Sequence, residues 1–304
     1  KILIVQTYIG EIFSLLSAIF WALAIIIFKK IGNDISPLVV NPVKGLIGFT
    51  LLIITCIIIQ IPIYPNPQFT NSDLLILSIS GIIGFGIADV IFLHSLNILG
   101  ASISAIIDMT YSPFIILFAF IFLDESLSTT QLLGGLLIIS SIFFTSFKIK
   151  NIPTDRKKFK LGVLYGIVSI ALMAIGIVMI KPILNKVSNE PTLLIWVTSY
   201  RLLSGILISI TIMIIANHRK KIIKDMYNKK IWKSLIIGSI LATYLGIATW
   251  VMGMSMTKVS IASILNQTAA IFITIFAWLF LKEPITKNRV FAIIIAMFGA
   301  YLVI

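Results

Sequence analysis

The sequence predicts an all-α membrane protein whose ten transmembrane helices form two inverted five-helix repeats. Composition is the first reason. Of 304 residues, 59% are hydrophobic and 12% are charged, which leaves too few polar side chains to cover a soluble domain. The second reason is an internal duplication. Residues 122–129 return as residues 280–287, 158 positions later, and identities at this offset extend back to Ser102 and Ser260.

The hydrophobic residues fall into stretches of about 18–25, the length that a helix needs to cross the hydrocarbon core. Lipid offers the backbone no hydrogen-bond partners, so these stretches must be helical. Polar or proline-rich breaks separate them, among them residues 32–34, 62–67 and 151–155. The predicted helices are 9–28, 37–60, 73–93, 101–123, 129–147, 161–180, 192–216, 231–252, 259–281 and 286–304.

Ten helices in two copies place five helices in each copy. An odd number of crossings makes the second copy enter the membrane upside down relative to the first, as in many secondary transporters. The chain therefore divides into a first repeat at 9–148, a basic linker at 149–160 and a second repeat at 161–304. The first helices of the copies align at an offset of 152, the second helices at 157 and the later helices at 158.

The basic residues are concentrated in alternate loops. Of the 24 Lys and Arg, 17 lie in the loops after the odd-numbered predicted helices, 4 lie on the other side and 3 lie within helices. The positive-inside rule places the basic loops in the cytoplasm and both termini outside. The net charge of +13 thus meets lipid headgroups, and nucleic acid is not an expected partner.

Several motifs together carry a resemblance to a known family. They are Trp21, the basic pair Lys44 and Arg201, Gly100-Ala101-Ser102, the Phe-Leu-x-Glu segments 122–125 and 280–283, and Gly134-Gly135. On these residues both copies resemble the EamA family of the drug/metabolite transporter superfamily. The resemblance implies a multi-pass transporter in a prokaryotic plasma membrane, and it says little about the substrate. It also implies that both termini are cytoplasmic, opposite to the charge count.

Asp89 and Asp108 are the first candidate functional residues. Each lies nine or ten residues from the connection between the third and fourth predicted helices, near Ile98 and Leu99. At the helical rise this is a depth of about 14 Å, near the middle of the hydrocarbon core. A carboxylate at that depth needs a proton or a cation. The two residues are predicted to couple protons or bind a cation, with neutral packing as the alternative.

Lys44 and Arg201 occupy matching positions in the two copies, at least two turns inside their helices. Two roles are predicted for them, binding a substrate carboxylate or pairing with the aspartates. The alternatives are that they extend toward the lipid headgroups or form an internal structural ion pair. Asn41 and Tyr200 are predicted neighbours, because Asn41 precedes Lys44 by three residues and Tyr200 is adjacent to Arg201.

Further polar and aromatic residues lie within predicted spans. Asn266 is the repeat equivalent of Asp108, and Tyr111, Asn266 and Gln267 are predicted to line a cavity or to bond between helices. Tyr244 and Trp250 are candidates for aromatic walls around a cation or a ring, with the interfacial aromatic belt as the alternative for Trp250. Glu125 and Glu283, although repeated, lie at helix ends and are predicted to organise the tight turns there.

The predicted function is a secondary transporter that moves a small polar metabolite, amino-acid-like or an amine, by alternating access, with protons as a candidate coupling ion. The alternatives are an intramembrane enzyme that uses Asp89 and Asp108, and a drug or cation exporter of the same fold. The protein is not expected to be an enzyme, to need a cofactor or to bind a metal. Its expected partners are a small-molecule substrate and membrane lipids. A monomer suffices to enclose a pathway, and a dimer is an alternative.

Overall fold

The computed structural model describes residues 8–61, 68–123, 128–147, 155–187, 190–216, 219–256, 262 and 265–303. Throughout these ranges the regular secondary structure is helical. The first-repeat helices are α1 Ile9–Ile31, α2 Pro37–Ile58, α3 Asn71–Leu99, α4 Ala101–Leu123 and α5 Thr129–Phe147. The second-repeat helices are α6 Arg156–Lys186, α7 Pro191–Ile215, α8 Arg219–Met226, α9 from Lys229 to Met256, α10 Ala269–Leu281 and α11 Lys287–Val303.

The protein is an integral, multi-pass membrane protein. Within the described residues, 7 helices are long and apolar enough to cross a membrane, and shorter apolar helices accompany them. The total of ten spans stays a prediction. The boundaries differ most in α6, which the sequence predicted at 161–180 and which runs over 31 residues, because basic residues extend it at both ends. The eight-residue helix α8 was not predicted, since its sequence is too polar for a span.

The ends of several helices follow local sequence signals. Ser36 accepts a hydrogen bond from the Leu38 N–H at the start of α2. Thr70 and Asp73 form a capping box at the start of α3. Between α3 and α4 the chain turns at Gly100 alone, with a φ of 84° that favours glycine. This connection is shorter than the sequence suggested, and it fixes α3 and α4 as neighbours.

Helices α3 and α6 run in opposite directions. The Ser95 hydroxyl near the carboxyl end of α3 donates to the Gly162 carbonyl near the start of α6, at 2.8 Å. At the other end, the Lys186 ammonium of α6 lies 2.8 Å from the Asp73 carboxylate at the start of α3. The two helices therefore pack antiparallel along their length.

Helices α1 and α3 run in the same direction, because the Lys29 ammonium at the end of α1 donates to the Asn97 carbonyl at the end of α3, at 2.6 Å. Helix α1 is therefore antiparallel to α6, its counterpart in the second repeat, which is the relation that an inverted repeat requires. Glu283 lies at the same side of the molecule, because its carboxylate accepts from the Ala101 N–H just after α3. We therefore call the side that holds Lys29, Asn97 and Glu283 the Glu283 end. The side that holds Asp73 and Lys186 is the Asp73 end.

Two helices contain a π-helical segment. In α3 the segment is Ile82–Ala88, and in α9 it is Ile240–Gly246. The second segment lies 158 positions after the first, which is the repeat offset. Because each repeat contains the same irregularity at the same place, the π-helical segments belong to the repeated unit. Such segments are frequent at functional sites.

Candidate functional site

A cavity of about 260 Å³ lies between the two repeats. Its lining comes from α1, α2, α3 and α4 of the first repeat and from α6, α7, α9 and α10 of the second, together with the helical residues 265–267 that precede α10. The polar and aromatic lining residues are Ser17, Trp21, Lys44, Phe85, Asp89, Asp108, Tyr111, Thr198, Arg201, Thr243, Trp250, Asn266 and Gln267.

Part of the lining is paired by the repeat. Of the 28 lining residues that the structure describes, sixteen form eight pairs at the offsets derived from the sequence. The pairs are Trp21 and Met173, Lys44 and Arg201, Gly84 and Ala242, Phe85 and Thr243, Asp89 and Ile247, Asp108 and Asn266, Met109 and Gln267, and Tyr111 and Ala269. The cavity therefore lies where the two copies face each other, the usual position of a transporter site.

Lys44 of α2 and Asp89 of α3 form an ion pair within the first repeat. Both residues are buried, at 7% and 8% exposure, and both line the cavity. Of the roles that the sequence left open for Lys44, the structure shows pairing with an aspartate. A buried carboxylate and a buried ammonium satisfy each other at a depth where either alone would be costly.

Arg201 of α7 is buried, with an exposure of 7%, and its surroundings differ from those of Lys44. Its Nε donates to the Ser80 hydroxyl at 2.9 Å, and its guanidinium carbon lies 5.0 Å from the ring centre of Phe85. Among the residues that the structure describes, Arg201 takes part in no ion pair. The cavity therefore holds a guanidinium with outer donors still to be satisfied.

Asp108 of α4 lines the same cavity as Asp89, as the sequence suggested. Trp21 of α1 lies beside it in the lining. Within the described part of the chain, Asp108 has no ion-pair partner. Tyr111, one turn further along α4, lies close enough to interact with both Asp108 and Arg201. The sequence singled out Trp21 only as a family marker, and its contact with Asp108 depends on how α1 packs.

The second repeat supplies amides and an indole. Asn266 and Gln267 precede α10 and line the cavity, as does Trp250 of α9. The Gln267 side-chain amide donates to the Ser112 hydroxyl of α4 at 2.6 Å. Gln267 therefore has both roles that the sequence left open, since it lines the cavity and bonds between helices.

Three candidate residues lie outside the cavity lining. Asn41 points into the interface between α2, α3 and α7. The Tyr200 ring stacks on Trp196, with ring centres 5.3 Å apart, in an apolar cluster near the Asp73 end. The Tyr244 hydroxyl is 2.9 Å from the Thr55 hydroxyl of α2. Tyr200 was predicted because it is adjacent to Arg201, but adjacent residues of a helix point in different directions. Asn41 shares a helix face with Lys44, but its amide is taken up by hydrogen bonds to α3 and α7.

Polar side chains satisfy the π-helical segments beside the cavity. The Asn41 amide donates to the carbonyls of Phe85 and Gly86, at 2.8 and 3.1 Å, and to the Ser209 hydroxyl at 2.9 Å. In the second segment, the Ser17 hydroxyl donates to the Gly246 carbonyl at 2.9 Å. A π-helical turn disturbs the regular hydrogen-bond ladder, so carbonyls there need other donors.

The cavity extends unequally along the helices. Toward the Asp73 end its lining reaches Leu184 and Leu194, within a turn of the ends of α6 and α7. Toward the Glu283 end, polar contacts cross the molecule beyond the lining. The Glu283 carboxylate accepts from the backbone N–H groups of Ala101 and Ser102, at 2.8 and 3.2 Å. These contacts hold the Glu283 end together.

The position of Glu283 extends one prediction. The sequence suggested that this residue organises the turn between its own consecutive helices, and its carboxylate lies 3.7 Å from the Arg289 guanidinium of the next helix. It also caps α4 of the other repeat, which the sequence did not indicate. Its repeat partner Glu125 lies outside the described residues.

No grouping of three or more His, Cys, Asp or Glu that could hold a metal occurs among the described residues.

Comparison with known proteins identifies the chain's relatives. The model of the EamA-like transporter family matches residues 8–147 and again 160–304, once for each repeat. A solved crystal structure with 12% sequence identity superposes with a TM-score of 0.68, over 96% of this chain and 95% of that chain. At this identity the likeness concerns the fold. The search among curated proteins found no match. The family match confirms the resemblance that the sequence motifs indicated.

Proposed function

Since this chain belongs to the EamA-like transporter family, within the drug/metabolite transporter superfamily, we propose that it carries a small polar metabolite across the membrane by alternating access. The substrate is amino-acid-like or an amine. One observation carries the proposal. Buried charged residues from both repeats line a single cavity at their junction, and eight pairs of lining residues correspond by the duplication.

The depth of these charges supports a transport site. Lys44, Asp89 and Arg201 lie well inside their helices, and Asp108 lies at a break of the helix within the Ala101–Leu123 span. An ionisable side chain at such a depth is costly unless it is paired or used. Lys44 and Asp89 pair with each other. Asp108 and Arg201 are available for a ligand of matching charge. A cavity of about 260 Å³ suits a small metabolite rather than a polymer or a lipid.

The asymmetry of the cavity supports alternating access. The lining approaches the Asp73 end, whereas cross-repeat contacts such as Glu283 with Ala101 close the Glu283 end. We propose that the structure is a state in which the cavity faces the Asp73 end. Transport then requires the contacts at the Glu283 end to separate and the Asp73 end to close.

Proton coupling is assigned to Asp108 in this proposal. The sequence offered Asp89 and Asp108 equally, but Asp89 has a lysine partner in the first repeat. A carboxyl group without a cation can bind and release a proton during the transport cycle. The same arrangement argues against an intramembrane enzyme, because one of the two carboxylates is already engaged.

A drug or cation exporter is the second candidate. Trp21 and Trp250 line the cavity together with Asp108, and aromatic faces beside a carboxylate suit an organic cation. Arg201 distinguishes the two candidates, because a cavity for a purely cationic drug gains nothing from a buried guanidinium. The amino-acid-like substrate is therefore preferred.

The proposal is tested by uptake into proteoliposomes. Radiolabelled amino acids and amines are offered with and without an imposed pH gradient, to wild type and to Asp108→Asn. We expect gradient-driven uptake of at least one compound by wild type and loss of the gradient dependence in the variant. Asp34→Asn, which changes an exposed carboxylate, is the matched control. Absence of uptake of every compound by wild type contradicts the proposal, and unaltered gradient dependence in Asp108→Asn contradicts the coupling role.

A further inference from the structure

We propose that Arg201 is the carboxylate-binding residue of the cavity, and that it is open to the substrate because Ile247 occupies the position of its counter-ion. This inference rests on the proposed transport function and specifies the substrate as a zwitterion. Its first support is the comparison of the two repeats. In the first repeat the basic residue Lys44 on α2 is neutralised by Asp89 on α3.

The second repeat has the same basic position without the acid. Arg201 stands on α7 at the place of Lys44, and α9 carries Ile247 at the place of Asp89. Both residues line the cavity, as their first-repeat counterparts do. The duplication therefore provides an internal control. In the first repeat Lys44 and Asp89 neutralise each other, and in the second repeat Arg201 has no aspartate at the corresponding position.

The contacts of Arg201 hold the guanidinium in place and leave its outer nitrogens unused. A guanidinium has five N–H donors. The Nε donor is occupied by Ser80, and Phe85 covers one face of the group. The Nη2 atom adjoins Gly84, where an added Cβ would lie 3.8 Å away. A carboxylate can accept two parallel hydrogen bonds from such an edge, which is the strongest form of this interaction.

The cavity also offers a negative charge, Asp108, to which the ammonium group of a ligand can bind. Asp108 has no ion-pair partner within the described residues, and Tyr111 lies near both Asp108 and Arg201. A ligand that spans the two sites carries its carboxylate at Arg201 and its ammonium group at Asp108. An α-amino acid has this pair of charges. An amine supplies only one of them and leaves the guanidinium unsatisfied.

A purely structural role for Arg201 makes different predictions. In that case Ser80 and Phe85 suffice for the guanidinium, and ligand affinity does not depend on whether a carboxylate is supplied at position 247. If Arg201 instead binds the substrate carboxylate, Ile247→Asp should reproduce the first-repeat ion pair. The new aspartate should then compete with the substrate carboxylate for the guanidinium. Ile247→Asn changes the shape of the side chain similarly but adds no charge, so the difference between the two variants reports the charge.

The experiment measures binding to the purified full chain in lipid nanodiscs by isothermal calorimetry. The probes are the common amino acids, each compared with the amine formed by its decarboxylation. Wild type should bind at least one amino acid more tightly than its amine, by roughly 10- to 100-fold, the effect of hydrogen bonds to a charged group. Ile247→Asp should lose a similar factor for the amino acid, and Ile247→Asn should keep the preference for the amino acid over its amine. Elution as a single species in size-exclusion chromatography shows that each variant is folded.

Three outcomes overturn the inference: equal binding of amino acid and amine by wild type, unchanged amino-acid affinity in Ile247→Asp, and no amino-acid binding at all. The outcomes are distinct from failure of the proposed function. Gradient-driven uptake of amines with no preference for the carboxylate sinks the inference and leaves the transporter intact. Carboxylate-dependent binding without uptake into proteoliposomes supports the inference and contradicts transport.

Discussion

Glu283 accepts a hydrogen bond from the backbone N–H of Ala101 at 2.8 Å, so the end of α10 in the second repeat caps the start of α4 in the first. The same carboxylate accepts from the Ser102 hydroxyl at 2.7 Å and lies 3.7 Å from the Arg289 guanidinium. A carboxylate at a helix amino terminus is favoured both by the free N–H groups and by the helix dipole. These contacts join the two repeats at the end where the cavity is closed.

We predict that Glu283→Gln opens the Glu283 end. The amide accepts fewer and weaker hydrogen bonds than the carboxylate and loses the charge interaction with Arg289, at a cost of about 1–3 kcal/mol. The state in which the Glu283 end is closed should then be less populated. The measurement is the rate at which a membrane-impermeant thiol reagent, added at the Glu283 end, labels Ala105→Cys. The native cysteine is first replaced by Cys56→Ala.

The control for this labelling experiment is Lys287→Gln, which removes an exposed charge from the start of α11. It should leave the labelling rate unchanged. Faster labelling in Glu283→Gln but not in Lys287→Gln supports a closing role for the Glu283 contacts. Equal rates in wild type and both variants show that these contacts do not control access.

The buried pair of Lys44 and Asp89 predicts a non-additive effect on stability. Lys44→Met leaves an unpaired carboxylate inside the membrane, and Asp89→Leu leaves an unpaired ammonium, each with an expected loss of about 3–5 kcal/mol. The double variant removes both charges and should recover much of the loss. The midpoint of thermal unfolding in detergent measures this. Additive losses in the double variant would show that the two side chains do not interact.

The side-chain hydrogen bonds to the carbonyls of the π-helical segments are predicted to stabilise both repeats. Asn41→Ala removes the donor to the Phe85 and Gly86 carbonyls, and Ser17→Ala removes the donor to the Gly246 carbonyl. Removing a donor from a buried carbonyl costs up to about 1–3 kcal/mol. The cost is smaller where a second donor stays, and the Ser209 and Thr249 hydroxyls lie 3.4 and 3.2 Å from the Gly86 and Gly246 carbonyls. We expect a lower unfolding midpoint in each variant and a larger drop for Asn41→Ala, which removes hydrogen bonds to two carbonyls and to the Ser209 hydroxyl.

The matched control is Thr211→Ala, because the Thr211 hydroxyl bonds only to the carbonyl of Leu207 in its own helix and is exposed. It should change the unfolding midpoint little. If Asn41→Ala changes the unfolding midpoint as little as Thr211→Ala does, the Asn41 hydrogen bonds to the first π-helical segment do not stabilise the protein. Transport rates of the same variants show whether bending at these segments is part of the cycle.

The sequence predicted the helices well where their signal is local. Apolar length and proline or glycine breaks identify membrane spans, and the recurrence of Phe-Leu-x-Glu identifies the duplication. It also indicated the charged positions Lys44, Asp89, Asp108 and Arg201, because an ionisable residue inside an apolar stretch is rare. All four line the cavity of the structure.

Pairing of those charges could not be read from the sequence, since it depends on which side chains meet across helices. Lys44 reaches Asp89, whereas Tyr244 and Asn41, equally plausible as lining residues, turn to Thr55 and to the π-helical segment of α3. The π-helical segments were also missed. One additional residue in a helical turn leaves no mark on an all-apolar stretch.

Close packing of α3 on α7 at Gly81 makes a final prediction about the position of Arg201. A Cβ on Gly81 would lie 2.0 Å from the Arg201 carbonyl oxygen and 2.8 Å from its carbonyl carbon, distances that no side chain adjustment can relieve. Gly81→Ala must therefore move α3 away from α7. Because Arg201 lines the cavity from this part of α7, the displacement should reduce substrate binding as well as stability.

Gly135 of α5 provides the matched comparison. A Cβ there would lie 3.8 Å from the Pro113 Cβ, an ordinary contact, so Gly135→Ala should be neutral or stabilising by up to about 1 kcal/mol through helix propensity. We expect Gly81→Ala to lower the unfolding midpoint and to raise the Kd of the transported substrate, while Gly135→Ala does neither. An unchanged Kd in Gly81→Ala, with the protein folded, would mean that the guanidinium keeps its place when the helices separate, and that the backbone contact does not position the site.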